Sequence, residues 1–286
     1  MRADPTKVPG RARAGATFWP ATLPALALLA LFFVVPVAAI FVDAFSGGGV
    51  AFARVLGMPR FASALAGSVV LTLGATAFSM AVGLAVALHL SRQPEGRRTA
   101  LAFAIALPLT FSGLIVAYGF ILAYGRAGFV TQLLAMAGAD AAVIGKALFT
   151  PTGLAFASSY YLIPRVVMSL LPVLVNVEQA QLDAAESLGA TPREAFLHVV
   201  LPAIAGPAIG TACLIAAVVF GAYGTALALV GTGVDLLPLS LYTMVSDTGS
   251  DFPAAAALAL MITATCSVVL VAGEWAASRH ERHLDA

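Results

Sequence analysis

The sequence predicts an all-α, polytopic membrane protein of about six transmembrane helices, and three observations predict it. Of its 286 residues, 60% are apolar and only 10% charged, against roughly 25% charged in a soluble domain. Mean hydropathy is +0.97. Six apolar runs reach the length that a bilayer demands, since a hydrocarbon core of about 30 Å takes about 20 helical residues at 1.5 Å each. The same numbers exclude a soluble enzyme and a disordered chain. A net charge of +1 leaves no basic field for a nucleic acid.

The runs are 18–42, 63–90, 100–124, 149–176, 203–230 and 253–277, more than half of the chain. The first follows a basic tail but exceeds the 7–15 apolar residues of a signal peptide, and Ala12 separates Arg11 from Arg13, so it reads as a retained span. Lys and Arg in the connecting segments orient the bundle. Residues 1–17, 91–99, 177–202 and 278–286 hold Arg2, Lys7, Arg11, Arg13, Arg92, Arg97, Arg98, Arg193, Arg279 and Arg282. The opposite segments hold Arg54, Arg60, Arg126 and Lys146. That asymmetry places both termini and the 177–202 loop in the cytoplasm. The expected organisation is a tail over 1–17, a transmembrane domain over 18–277 and a second tail over 278–286.

Pro24, Pro36, Pro108, Pro164, Pro172 and Pro207 fall inside spans, where neighbouring helices satisfy the carbonyls they free. Gly206-x-x-x-Gly210 offers a small-residue packing face. Cys213 and Cys266 lie in apolar runs, away from any metal spacing, and read as small hydrophobes.

Charge placement excludes several functions. An ion-coupled transporter or pump keeps an ionisable group deep in the bilayer, yet no Asp or Glu sits at a span centre. Asp43, Glu178 and Glu274 stand at or beyond span ends, so if the chain is a transporter its energy has to come from outside it. Arg165, after Pro164, is the exception. It reads either as lining a pathway or a helix interface, or as snorkelling toward the cytoplasmic headgroups. A phosphate-binding loop needs G-x-x-x-x-G-K-[ST]. Gly145-Lys146 is followed by Ala147, with Asp140 at the first glycine position, so no nucleotide site is expected. His89, His198, His280 and His283 are scattered, and no H-E-x-x-H or nucleophile elbow occurs. Neither catalysis nor a bound metal is expected.

The 177–202 loop is the informative segment. Residues 178–188 read as a short helix that Gly189 closes. Thr191 as N-cap, Pro192 at N1 and Glu194 at N3 open a second helix through a capping box. Phe196, Val199 and Val200 share one face of it, while Arg193 and His198 lie mostly elsewhere. A capped amphipathic helix on the cytoplasmic side suits either a groove on another protein or the headgroup plane.

Asp183-Ala184-Ala185, Gly189 and Val199-x-Leu201-Pro202 resemble the EAA loop of ABC-importer permeases, E-A-A-x3-G-x9-I-x-L-P, at every spacing. Aspartate replaces glutamate and valine replaces isoleucine. The resemblance covers roughly residues 60–280 and implies a type I importer permease, multi-pass in a bacterial inner membrane. It further implies a second permease subunit, identical or related, a soluble solute-binding protein outside, and a cytoplasmic ABC ATPase dimer. That dimer carries the ATP and Mg, and this chain binds no cofactor. A coupling helix of about 183–200 sits in an ATPase groove, with Asp183, Ala184, Ala185, Gly189, Thr191, Pro192, Arg193, Glu194, Phe196, Leu201 and Pro202 as the coupling residues.

Ala190 and the stretch Phe220-Gly221-Ala222-Tyr223-Gly224-Thr225 resemble permeases for polyamines, ferric iron, thiamine and phosphonates. A polyamine such as spermidine or putrescine is the leading expectation. Pathway candidates are Tyr118, Ser159, Tyr160, Phe220, Tyr223 and Thr225. Each also has a plainer reading as an interfacial anchor, or as a hydroxyl bonded to its own helix. Asp43, Asp140, Asp235, Asp247 and Asp251 against four outer cations tilt the outer face slightly toward a cation.

Overall fold

A computed structural model describes residues 18–177, 182, 184, 185, 187–231, 233–246 and 251–284. No strand occurs among them, and six of their helices are long and apolar enough to cross a membrane. Helix α1 runs from Phe18–Leu29 through a π-helical turn at Ala30–Val34 into Val35–Phe45. Then come α2 (Val50–Leu56), α3 (Phe61–Ser91) and α4 (Glu95–Ala106), the last tightening into a 3₁₀ turn at Leu107–Thr110. Next are α5 (Gly113–Tyr124), α6 (Phe129–Met136), α7 (Ala141–Ala147) and α8 (Pro151–Asn176). Helix α9 comprises Pro192–Ala195, a π-helical turn at Phe196–Val200 and Leu201–Phe220. Helices α10 (Gly224–Val230), α11 (Leu237–Ser246) and α12 (Phe252–Leu284) close the chain.

Helix α8 is the central post. More than half of its most apolar stretch is buried, against none for α1. Leu154, Leu162, Val166, Val167 and Leu170 are fully enclosed, and α3, α4, α5, α9 and α10 all pack on it. Pro164 and Pro172 stand inside the helix without ending it. Gly83 sets the approach of α3, because a Cβ there would lie 2.6 Å from Val166 Cβ. A second core joins α1, α2, α11 and α12 around Ala44, Val55, Leu237 and Leu258. Helix α1 meets the body mainly through α12, and its Phe32, Phe33 and Val42 stay exposed, as a lipid-facing helix requires.

Two expectations about helix continuity are corrected. The run 100–124 is not one span: the chain turns extended at Phe111 and Ser112 before α5 starts. Pro108 lacks an N–H, and Ser112 caps the new helix by accepting from Ile115 N–H at 3.5 Å. The candidate span is instead Gly113–Met136. Likewise 203–230 divides at Gly221–Tyr223, leaving Arg193–Phe220 as the span and α10 as a separate short helix. The two breaks face each other, since a Cβ on Gly113 would collide with the Thr225 hydroxyl and α5 packs on α10. The Gly206/Gly210 face is also revised. Gly210 has nothing within 4 Å of an added Cβ, and the tight crossing of α9 and α12 lies where Gly273 meets Cys213.

On the face expected to be outer, ion pairs fasten the loops. Arg54 pairs with Asp251, and Arg60 with Asp235 at 3.7 Å. Ser63 Oγ donates to Asp235 at 2.8 Å, and Leu237 N–H donates to Ser68 Oγ at 2.9 Å. The segment before α11 is thereby strapped across α3.

The Gly83 crossing yields a paired test. Gly83→Ala overpacks α3 against α8 and should lower stability by about 1–3 kcal/mol, read as a lower thermal midpoint in detergent. Gly74→Ala, on the same helix with nothing within 4 Å, should leave the midpoint unchanged or slightly raised. Equal effects of the two would refute the close-approach role of Gly83.

Candidate coupling loop and translocation cavities

The loop between α8 and α9, expected on the cytoplasmic side, is organised by its own hydrogen bonds. Leu188 N–H donates to Ala184 O at 3.1 Å and Ala190 N–H to Ala185 O at 3.0 Å. The second is the six-to-one bond of a Schellman closure. Gly189 stands between them at φ +85° with open space around it, so glycine is demanded by backbone conformation rather than by crowding. The next helix opens on a complete capping box. Thr191 Oγ1 accepts from Glu194 N–H at 3.3 Å, and Thr191 N–H donates back to Glu194 Oε2 at 2.7 Å. The Thr191 hydroxyl also donates to Glu194 Oε2 at 2.8 Å. Pro192 is the first helical residue. A carbonyl only accepts, so His198 Nδ1 carries the proton it donates to Glu194 O at 2.9 Å.

Of the expected coupling residues, Ala184, Ala185, Gly189, Thr191, Pro192, Arg193, Glu194, Phe196, Leu201 and Pro202 fall in this one loop and helix start. Asp183, like Glu178 and Glu186, lies outside the described residues. Phe196, Val199 and Val200 are half-buried together, whereas Arg193, Glu194 and His198 are exposed. Leu188 is 90% exposed and Leu197 and Leu201 are also exposed; of these three leucines, the sequence pattern singled out Leu201 alone. His280 Nε2 donates to Pro202 O at 3.3 Å, fastening the start of α9 to the end of α12.

The pathway candidates disperse. Thr225 is buried and Tyr160 half-exposed, each beside a cavity. Ser159 is buried and donates to Phe156 O at 2.6 Å within its own helix. Phe220 packs in the second core. Tyr118 points out from α5, and Tyr223 rests on Tyr242 with ring centroids 5.3 Å apart.

Three cavities succeed one another along α5. The first, about 370 Å³, lies where the two helix breaks meet and is lined by Phe111, Ser112, Tyr161, Arg165, Ala222 and Thr225, among others. The second shares Phe111 and is walled by Phe120, Tyr124 and Tyr160, rings that pack edge-on or stacked at 5.5–5.7 Å with Phe156. The third surrounds Gly125 and is lined by Arg126, Lys146 and Thr150. Arg165 stands about 21 Å along α8 from Pro151 and about 17 Å from Asn176, at 1.5 Å per residue. It is half-buried and has no carboxylate partner among the described residues. A central arginine costs about 2.5–3.5 kcal/mol to insert, and ionisable residues in spans commonly face a cavity or the bundle interior, as Arg165 does. Ser112 and Gly113, invisible to hydropathy, were the missed signal: a capping serine four residues after Pro108 and a glycine five after it.

Comparisons with known proteins agree with this geometry. The family model described as "Binding-protein-dependent transport system inner membrane component" matches residues 79–285. Sulfate permease 2, chloroplastic, of Chlamydomonas reinhardtii is 31% identical over 180 residues, 63% of this chain and 47% of that protein. Sulfate transport system permease protein CysW of Synechocystis is also 31% identical over 180 residues, 63% of each. The chain thus spans about half to two thirds of the length of these two relatives. Spermidine/putrescine transport system permease protein PotB of Escherichia coli is 27% identical over 223 residues, 77% of this chain and 79% of that one. A chain of a bacterial alginate ABC transporter, solved with an alginate pentasaccharide-bound periplasmic protein, superposes with TM-score 0.72 at 17% identity, covering 90% of this chain and 92% of that chain. That likeness concerns the fold. With the six spans and the matched family model, it follows that the chain belongs to the binding-protein-dependent transport system inner membrane components, with the fold of an ABC transporter permease.

Proposed function

We propose that the chain is the non-catalytic, membrane-spanning permease subunit of an ATP-driven ABC importer in a bacterial inner membrane, with both termini cytoplasmic. A cytoplasmic ABC ATPase dimer binds the ATP and Mg and receives the loop of residues 183–202. A second permease copy or relative completes the pathway, and a soluble binding protein delivers the solute. One observation carries this reading. The loop is capped at both of its helix ends by its own bonds, yet leaves Leu188, Leu197 and Leu201 uncovered. A rigid segment with uncovered leucines suits a groove on a partner. ATP binding then acts as a ligand that favours one of two bundle arrangements.

The solute is a small polar, charged molecule. The polyamine expectation draws support from the PotB likeness and from the Phe120, Tyr124, Phe156 and Tyr160 rings, whose faces attract cations. Ferric iron, thiamine and phosphonates stay with it as alternatives from the same resemblance. A second reading, an anion, is favoured by Arg165 and by the two sulfate-transport relatives. An ion-coupled secondary transporter is disfavoured by the want of a carboxylate at the centre of any described span.

Two variants test the coupling assignment. A β-branched residue is badly strained at φ +85°, so Gly189→Val should reduce uptake at least about 10-fold, at a folding cost of about 1–2 kcal/mol. Wild-type uptake by this variant would refute the assignment. Leu188→Glu removes an apolar contact without touching either cap. It should cut ATPase co-purification in mild detergent about 10-fold or more, on the scale of an interface anchor, with the thermal midpoint unchanged. Undiminished ATPase recovery would place the docking surface elsewhere.

A further inference from the structure

We propose that the cavity between the two helix breaks is an anion-binding station on the transport route, with Arg165 as its recognising side chain and a small oxyanion as its ligand. The proposal rests on the permease reading and develops its second, anionic alternative against the polyamine one.

The first support is placement. Arg165 lies near the middle of the most buried span, on a cavity of about 370 Å³. The guanidinium carries a fixed fork of donors that fits two oxygens of one anion. Ser112, Tyr161 and Thr225, three hydroxyl-bearing residues, line the same cavity. Gly113 and Gly224 line the same space and bring backbone rather than side chains to its wall. In a low-dielectric setting, a lone cation with hydroxyl donors around it selects negative charge.

The second support is the sign of the charges on the rest of the route. Following α5 outward, the cavities end about 18 Å from Gly113 at 1.5 Å per residue, at Arg126 and Lys146. Neither has an ion-pair partner among the described residues. The described carboxylates on that face are engaged elsewhere. Asp235 holds Arg60 and Ser63. Asp251 holds Arg54 and accepts from Ala254 N–H. Asp140 accepts from Ala142 and Val143 N–H at the start of α7. Asp43 and Glu274 line none of the three cavities. Formal charge on the outer segments nearly balances, but the charge left facing this route is positive at both ends. This reverses the tilt toward a cation read from the sequence.

The test uses the full-length chain in lipid nanodiscs. Sulfate, phosphate and methylphosphonate are the anionic probes, spermidine is the cationic probe, and chloride at matched ionic strength is the reference. Millimolar oxyanion should raise the thermal midpoint by about 2–4 °C. Arg165→Gln should abolish that rise, and Arg165→Lys should retain part of it, which separates lost recognition from lost folding. Spermidine should give no rise in the wild-type chain. The proposal is overturned if no oxyanion exceeds chloride, if Arg165→Gln keeps the full rise, or if spermidine stabilises the wild-type chain instead. ATPase co-purification from the same preparations reports on the permease reading independently. A retained ATPase with no anion response defeats the anion station alone, whereas no retained ATPase defeats the permease reading.

Discussion

The structure depends on one constraint: in hydrocarbon, every peptide N–H and C=O has to be satisfied within the protein. Unbroken helices meet that demand automatically, and most spans here are unbroken. The two breaks that divide the apolar runs, at Phe111–Ser112 and at Gly221–Tyr223, are placed against each other, and the helices that follow them, α5 and α10, pack on α8. Local bonds cover the exposed ends. Ser112 Oγ takes the Ile115 N–H, Gly221 N–H reaches Ala217 O at 3.2 Å, and Thr131 Oγ1 donates to Tyr124 O at 3.0 Å beyond the end of α5. Irregular backbone at this depth is tolerated where it lines a cavity, and the cavity bearing Arg165 is that place.

A division of labour among the helices follows. Helix α8 is held on several sides and carries the one charge near a span centre among the described residues, so Arg165 sits on the most buried span. Helices α5 and α10 start at the breaks and supply hydroxyls and bare backbone. Helix α1 lies at the rim, and the family match begins well after it, at residue 79. The ion pairs of Arg54 and Arg60 hold the outer loops in place, which leaves Arg126 and Lys146 as the cations still facing a cavity.

Much of this was legible in the chain, and what was not has a physical cause. Six spans were readable because bilayer thickness sets the length of an apolar run. Gly189, Thr191 and Glu194 were readable because capping is local and each residue type has one job at its position. Helix continuity was not readable across 100–124 or 203–230, because an apolar run keeps its hydropathy whether or not its backbone is broken. Pathway membership was harder still. Thr225 and Tyr160 border cavities while Ser159 and Phe220 do not, and nothing in their composition separates them, since only the rotation of each helix about its axis decides. The meaning of Arg165 likewise required knowing that no described carboxylate comes near it.

The π-helical turn at Phe196–Val200 joins the first turn of α9, Pro192–Ala195, to Leu201–Phe220 without an intervening coil. Arg193–Phe220 is thus one rod of 28 residues, about 42 Å long at 1.5 Å per residue. It starts at the exposed leucines and ends beside Ala222, Gly224 and Thr225 on the wall of the Arg165 cavity. With Gly273 seated against Cys213 partway along, the rod has a natural fulcrum. A displacement imposed on the end that carries the exposed leucines has no slack segment in which to dissipate, so it arrives at the far end as a swing of the cavity wall, in the manner of a lever.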